Sequence, residues 1–94
     1  MQPVWLPAAP YEWWYVAEGA YRAGDYERAI EIASEGLGDH PYHGHLHYQL
    51  ACYHALAGHR EDGAEHLRRA YEADPKLREW GATDSDLQSV RDLV

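Results

Sequence analysis

The chain repeats its own pattern at one fixed offset, without a gap. This offset places Gly24 on Gly58 and Pro41 on Pro75. The other pairs that coincide are Ala17 with Ala51, Ala23 with Ala57, Glu27 with Glu61, Glu31 with Glu65, Trp14 with Tyr48 and Val16 with Leu50. Because one offset aligns both glycines and both prolines, the sequence is expected to contain one structural unit twice.

The first unit has the spacing of a helix, a tight turn and a second helix. Gly24 is placed to end the first helix, and the side chain of Asp25 is placed to cap the second. Apolar residues recur at intervals of three and four on both helices: Trp13, Val16, Ala17 and Ala20, then Ala29, Ile30, Ala33 and Leu37. A turn this short makes the two helices antiparallel neighbours.

The second unit follows the same plan, and a different segment follows it. Helical spacing returns in His47, Leu50, Ala51 and His54 before Gly58, and in Ala64, Leu67, Ala70 and Tyr71 before Pro75. After Pro75 the pattern predicts a short helical turn ended by Gly81. Thr83 and Asp86 then have the spacing of a capping box for a last helix through Leu87, Val90, Arg91 and Leu93. The sequence therefore predicts an all-α fold.

The offset from Gly24 to Gly58 resembles the period of the tetratricopeptide repeat family, a helix–turn–helix unit of about 34 residues. The family pattern of spaced aromatic, small and proline residues is matched by Trp13, Val16, Ala17, Ala20, Ala29, Ala33 and Pro41, and more loosely by His47, Leu50, Ala51, His54, Gly63, Leu67 and Pro75. The turn from Ala23 to Ile30 is the most specific part of a resemblance that covers about residues 10–77. The chain departs from the family pattern at three positions: Ala20 replaces an aromatic residue, His47 replaces tryptophan and Gly63 replaces alanine.

The resemblance implies antiparallel helical hairpins stacked as a short tetratricopeptide-like α-solenoid with a C-terminal capping helix. We expect an extended, proline-rich arm over residues 1–9, repeat 1 over 10–43, repeat 2 over 44–77 and a capping segment over 78–94. The segment from Leu77 to Asp92 resembles the end of small bacterial tetratricopeptide proteins, which implies a bacterial protein.

In this family the first helix of each hairpin lines a concave groove that binds a partner. Carried over by position, the groove residues are Tyr11, Trp14, Glu18, Tyr21, Arg22, His45, Tyr48, Cys52, Ala55 and Leu56. Trp14 and Glu18 stand where many members hold a partner's terminal carboxylate with Lys and Asn, so recognition of an acidic tail is not expected. An aromatic groove favours apolar or aromatic anchors.

Aromatic residues are concentrated near the N-terminus, with seven of the twelve between Trp5 and Tyr26. Trp13, Trp14 and Tyr15 are consecutive, so they cannot all face one side of a helix. We expect Trp14 to be covered by the arm that carries Trp5 or by a second copy of the chain. The sequence thus predicts a non-catalytic scaffold that binds a protein segment or forms a homodimer.

Charge and composition exclude several classes of partner. The net charge is −8, with only eight Lys and Arg residues, which disfavours binding to nucleic acid phosphates. No apolar run approaches the roughly 20 residues of a membrane span. The single cysteine, Cys52, allows no intrachain disulfide and fits a cytoplasmic location.

No catalytic arrangement is recognisable, and we expect neither an enzyme nor a cofactor. The main alternative is a metal- or small-ligand-binding protein that uses the histidine-rich stretch from His40 to His54. Its candidate ligands are His43, His45, His47 and His54, because imidazole binds zinc, nickel and copper. A third possibility left open by the sequence is a minimal or engineered repeat protein without a partner.

Overall fold

A computed structural model describes residues 9–94 of the chain. Five α-helices are followed by two short 3-10 turns, and no strand occurs among the described residues. The helices are α1 (Pro10–Arg22), α2 (Tyr26–Asp39), α3 (Gly44–Ala57), α4 (Arg60–Ala73) and α5 (Leu77–Thr83), and the turns are Ser85–Leu87 and Arg91–Leu93. The predicted all-α fold is confirmed. Apart from Ala9, the arm predicted over residues 1–9, with Trp5, lies outside the described residues.

The two tight turns, one in each sequence unit, have the same geometry. Gly24 and Gly58 both have positive φ, 79° and 89°, which glycine adopts without steric cost. At the first turn the Asp25 amide donates to the Ala20 carbonyl at 3.0 Å, and at the second the His59 amide donates to the His54 carbonyl at 2.8 Å. These bonds close the end of each preceding helix in the same way. The sequence repeat is therefore a repeat of backbone structure.

The side chain of Asp25 caps α2 as predicted, accepting from the Arg28 amide at 3.1 Å. His43 caps α3, because its Nδ1 accepts from the Leu46 amide at 3.4 Å. Each cap satisfies a backbone donor that the first turn of a helix would otherwise leave free.

Helix α3 is the centre of the molecule. It packs against α2 on one side and most extensively against α4 on the other, and it also contacts α1 and the segment after α5. Leu46, Leu50 and Tyr53 are almost completely buried on it. Because α3 is enclosed on several sides, its apolar residues surround the helix rather than forming one stripe.

The C-terminal segment differs from the prediction. Gly81 does not end α5, which continues to Thr83, and Gly81 instead lies buried against the Tyr71 side chain. Asp84, rather than Thr83, is the capping residue, accepting from the Asp86 amide at 3.0 Å. The expected last helix is two 3-10 turns, whose three-residue period places Leu87 and Val90 together on the buried side.

Every helix among the described residues is too short or too polar to span a lipid bilayer.

Candidate functional site

A cavity of about 220 Å³ lies where α1, α3 and the segment after α4 meet. We call it the central cavity. Eleven residues line it: Trp14, Glu18, Tyr21, His45, Tyr48, Gln49, Cys52, Tyr53, Trp80, Asp84 and Asp86.

The structure brings together six of the residues expected at the groove. Trp14, Glu18 and Tyr21 come from α1, and His45, Tyr48 and Cys52 come from α3. The remaining four do not line the central cavity. Arg22 lines a neighbouring cavity, Tyr11 is exposed, Ala55 is buried and Leu56 is partly buried.

Five lining residues were not anticipated. Gln49 and Tyr53 belong to α3, while Trp80, Asp84 and Asp86 come from α5 and the turn after it. The capping segment was expected to cover the end of the stack, yet it turns back and forms one wall of the groove. The groove is thus partly occupied by the chain's own side chains.

Three tyrosine hydroxyls hold the walls of the cavity together. Tyr21 on α1 donates to Asp86 Oδ2 at 2.7 Å, and Tyr48 on α3 donates to Asp84 Oδ2 at 2.8 Å. The third bond links α3 to α1, with Tyr53 donating to Glu18 Oε1 at 2.9 Å. Residues far apart in sequence therefore fix α1, α3 and the capping segment relative to one another.

These contacts keep the hydroxyl donors uncharged. The hydrogen bond to Asp86, followed by burial, raises the pKa of Tyr21. Burial raises the pKa of Tyr48, and the bond to Asp84 adds to this effect. Burial and the Glu18 charge raise the pKa of Tyr53. Each phenol therefore stays protonated and serves as a donor to its carboxylate.

The thiol of Cys52 is unreactive in this setting. Burial, followed by the charge of Asp84, raises its pKa well above the usual range. Its Sγ lies 3.8 Å from Asp84 Oδ2, at the limit of a weak S–H hydrogen bond. Since the thiolate is the reactive form, this cysteine is not activated as a nucleophile.

Gln49 joins α3 to α1 and retains an unused acceptor. Its Nε2 donates to the Trp14 carbonyl at 3.1 Å and to Glu18 Oε1 at 3.4 Å. Its Oε1 is buried and has no hydrogen-bond partner among the described residues. Glu18 is thus hydrogen-bonded to two side chains of α3. Glu18 and Arg22 are four residues apart on α1, a spacing that favours an ion pair, but the ion pairs of the described residues do not include this one.

A second cavity, of about 290 Å³, lies along α1 and is lined by Trp14, Tyr15, Glu18, Gly19 and Arg22. We call it the α1 cavity. Trp13 is buried in the core, whereas Trp14 is 42% exposed and Tyr15 is exposed. Trp14 and Glu18 line both cavities, so they connect them.

Comparison with protein-family models, with curated proteins and with solved structures finds no match. The family resemblance therefore stays an interpretation of the residues in this chain.

The predicted histidine ligands fall into two groups. The rings of His43 and His45 lie 5.7 Å apart, and His45 also contacts Trp80. His47 and His54 instead approach His66 on α4, which the sequence interpretation did not include. Among the described residues, no three histidines bring their ring nitrogens within 4.8 Å of one another.

His47 already uses both ring nitrogens. Its Nε2 lies 2.8 Å from the Pro41 carbonyl, which only accepts, so Nε2 carries the proton. In the neutral ring Nδ1 is then an acceptor, and it receives the Nδ1–H of His66 at 3.0 Å. The His54 ring is parallel to the His66 ring, and their centroids lie 5.4 Å apart. The three rings form a packing network in the α3–α4 interface.

In the described part of the chain, one group of side chains has metal-ligand spacing: Cys52, Asp84 and Asp86, whose ligand atoms lie within 4.8 Å of one another. Its sulfur is held as the thiol, and its carboxylates accept from Tyr48 and Tyr21. These hydrogen bonds account for the grouping without an ion.

A larger hollow of about 530 Å³ lies between the α2–α3 loop and α4. Its lining includes His47, which is fully hydrogen-bonded, and Arg69, whose Nε donates to Glu65 Oε1 at 3.1 Å. Its other polar lining residues are Tyr42 and Glu72, and none of its lining residues is a tryptophan, whereas two tryptophans line the central cavity.

Acid is expected to destabilise the histidine network. Burial, together with His47, His54 and Arg69, lowers the pKa of His66 to about 4, and only Asp62 opposes this shift. Between pH 6.5 and 4 the unfolded chain therefore binds a proton at this residue that the folded chain does not. Stability thus falls as pH falls through this window. From pH 7 to 5 the loss is at most about 2 kcal/mol, and roughly 1 kcal/mol after solvent screening of a partly exposed ring.

Urea unfolding at pH 7 and pH 5 measures this loss. His66→Gln should remove it, whereas His45→Gln, at an exposed position outside this network, should retain it. An unchanged pH dependence in His66→Gln would contradict the assignment to His66.

Proposed function

We propose that this chain is a non-catalytic interaction module of the tetratricopeptide type. It binds a segment of a partner protein, or of a second copy of itself, along the groove formed by the central and α1 cavities. The observation that carries this proposal is the position of Trp14, a half-exposed tryptophan that lines both cavities.

The energetics of protein interfaces support this function. Tryptophan and tyrosine contribute most of the binding energy at many interfaces, especially where a pocket surrounds them. Here Trp14 and Tyr15 are exposed on α1, and Trp80 is exposed across the groove on α5. Leaving such side chains in water is unfavourable, and covering one tryptophan can stabilise a complex by a few kcal/mol.

The chemistry of the cavity supports a binding role rather than catalysis. A nucleophile requires an adjacent base or a lowered pKa, but the Cys52 thiol has a raised pKa and faces the charge of Asp84. The three tyrosines use their hydroxyls to hold carboxylates in place. A single, buried cysteine also supports a location in the reducing cytoplasm.

Peptide selection tests the groove. Peptides selected on the immobilised chain from a random 12-residue library should bind wild type and lose roughly tenfold or more in affinity on Trp14→Ala. Tyr42→Ala is the matched control, because Tyr42 is an exposed aromatic in the α2–α3 loop that lines neither the central nor the α1 cavity, but the separate hollow beside α4. Selected peptides that bind wild type and Trp14→Ala equally, or a library that yields no binder, would contradict the proposal.

Self-association is the second form of the same function. Sedimentation at micromolar to millimolar concentration should show a dimer that Trp14→Ala weakens and Tyr42→Ala leaves unchanged. A wild-type monomer at every concentration would remove the homodimer and leave only a different protein as the partner.

A further inference from the structure

The central cavity has aromatic walls with an open face. The rings of Trp80 and Tyr48 meet edge to face at 6.1 Å, and those of Trp80 and His45 at 5.6 Å. Trp80 is nevertheless 57% exposed, so these contacts leave much of its indole uncovered. Trp14 adds a second indole to the lining. The face of an indole carries negative potential and attracts cations, more strongly than the ring of Tyr or Phe does.

The same cavity carries negative charge that no cation within it compensates. Glu18, Asp84 and Asp86 line it, and none of its eleven lining residues is Lys or Arg. The side-chain donors that reach these carboxylates are uncharged groups of Tyr21, Tyr48, Tyr53, Gln49 and Cys52.

Arg91 and Arg22 lie near the central cavity without pairing with its carboxylates. Arg91 donates to the backbone carbonyls of Gly81 and Asp84, not to a carboxylate of the cavity. Arg22 lines the α1 cavity together with Glu18, but the ion pairs of the described residues do not join the two.

Acceptor capacity remains unused around the cavity. A carboxylate accepts through two oxygens, but the side-chain hydrogen bonds within the described chain engage only one oxygen of Glu18 and one of Asp86. Independently, Gln49 is only 4% exposed, lines the cavity and has a carbonyl oxygen that receives no donor from the described residues. The Gln49 oxygen is itself buried, so the acceptors that a ligand in the cavity can reach are the free carboxylate oxygens.

We propose that the central cavity binds the cationic end of a lysine or arginine side chain from a partner polypeptide. This inference rests on the proposed function and names the chemistry that the groove selects. An ammonium or guanidinium group carries only donors, so it can meet the free carboxylate oxygens while its charge lies against the indoles. With a net charge of −8, the chain also attracts basic partners over a longer range.

The volume of the central cavity favours a single side chain over a larger ligand. Sites for drug-sized molecules usually enclose about 300–1,000 Å³, whereas the central cavity has about 220 Å³. The α1 cavity shares Trp14 and Glu18 with it and provides a surface for the residues that flank the cation. A free amine would fill the central cavity but leave the α1 cavity empty.

Binding of two matched peptides tests the charge requirement. The probes are the blocked pentapeptide with the sequence Gly-Ala-Lys-Ala-Gly and its counterpart with norleucine, which keeps the aliphatic stem without the ammonium group. Titration is followed through the indole N–H signals of the ¹⁵N-labelled full chain. We expect the lysine peptide to bind roughly tenfold more tightly than the norleucine peptide, and its affinity to fall with added salt. Equal affinities would overturn the proposal.

Three variants locate the binding. Asp86→Asn removes one charge but keeps an acceptor for Tyr21, and it should weaken the lysine peptide roughly three- to tenfold. Trp80→Ala should weaken it about two- to fivefold, and its exposed position leaves the core intact if Asp86→Asn fails to fold. Glu79→Gln is the control, since it removes the same charge at an exposed residue outside the cavity lining. An equal loss in Glu79→Gln and Asp86→Asn would mean that only net charge matters, and would refute the site.

Two further probes separate the sources of the cation. Butylammonium should bind more weakly than the lysine peptide, because it lacks flanking residues, and equal binding would overturn the assignment to a polypeptide. Zn²⁺ alone, if it displaced the peptide at micromolar concentration, would assign Cys52, Asp84 and Asp86 to a metal instead.

The outcomes distinguish failure of the cation site from failure of the proposed function. Library peptides that depend on Trp14, but show no preference for Lys or Arg and no response to Asp86→Asn, would retain the groove and refute cation selection. Butylammonium binding that depends on Asp86, without any peptide binding, would retain the cation site and refute the interaction module.

Discussion

Replacing Leu87 with alanine is expected to cost about 2–5 kcal/mol of folding free energy. Leu87 is fully buried in the turn after α5, and this turn packs against α3. Its removal would leave a cavity under the wall that holds Asp84 and Asp86. Since a domain of this kind is stable by only about 5–15 kcal/mol, the variant should be partly unfolded at physiological temperature.

Urea unfolding followed by circular dichroism measures this loss. Leu93→Ala is the control, because Leu93 is already 36% exposed, and its cost should be within about 0.5 kcal/mol. If Leu87→Ala had the same urea midpoint of unfolding as the wild type, the capping segment would not belong to the cooperative core, and the central cavity would lack a stable wall.

Replacing Gly36 with alanine is expected to cost about 1–3 kcal/mol, although alanine is the better helix former. Gly36 on α2 faces Trp13 on α1, and an added Cβ would lie 2.8 Å from both Cβ and Cγ of Trp13. Those atoms are close to the α1 backbone, so the tryptophan cannot move away without separating the two helices.

Gly38 provides the matched control in the same helix. An added Cβ there meets no atom within 4 Å among the described residues, so Gly38→Ala should be neutral or stabilise by up to about 1 kcal/mol through helix propensity. Thermal unfolding of the two variants should therefore shift in opposite directions. A shift of the same sign and size in both would show that α1 and α2 pack less closely than the structure indicates.

Much of the fold could be predicted because it is encoded locally. Gly24, Asp25 and Gly58 act through the backbone of their own turns, and the repeat offset relates one turn to the other. The course of the capping segment could not be predicted in this way. It depends on contacts such as that between Tyr21 and Asp86, 65 residues apart, and short 3-10 turns have too few residues to establish a period.

The predicted metal-ligand group, His43, His45, His47 and His54, was chosen from neighbours along the chain instead of neighbours across a helical hairpin. In an antiparallel pair of helices, residues equally distant from the turn face each other. His54 and His59 contact across the Gly58 turn, and His47 and His66 have the same midpoint in sequence and contact as well. The repeat pattern already predicted this hairpin, so His66 could have been paired with His47 before the structure was known.

One wall of the central cavity comes from the capping segment, and this limits where a further helical hairpin could be added. In a repeat array the closing segment covers the last unit, so a unit added at that end stands ahead of it. A third hairpin inserted after Pro75 would carry Asp84 and Asp86 away from Tyr48 and Tyr21, and the cavity would lose its acidic wall. For this chain, insertion of a hairpin at that position and the present pocket exclude each other.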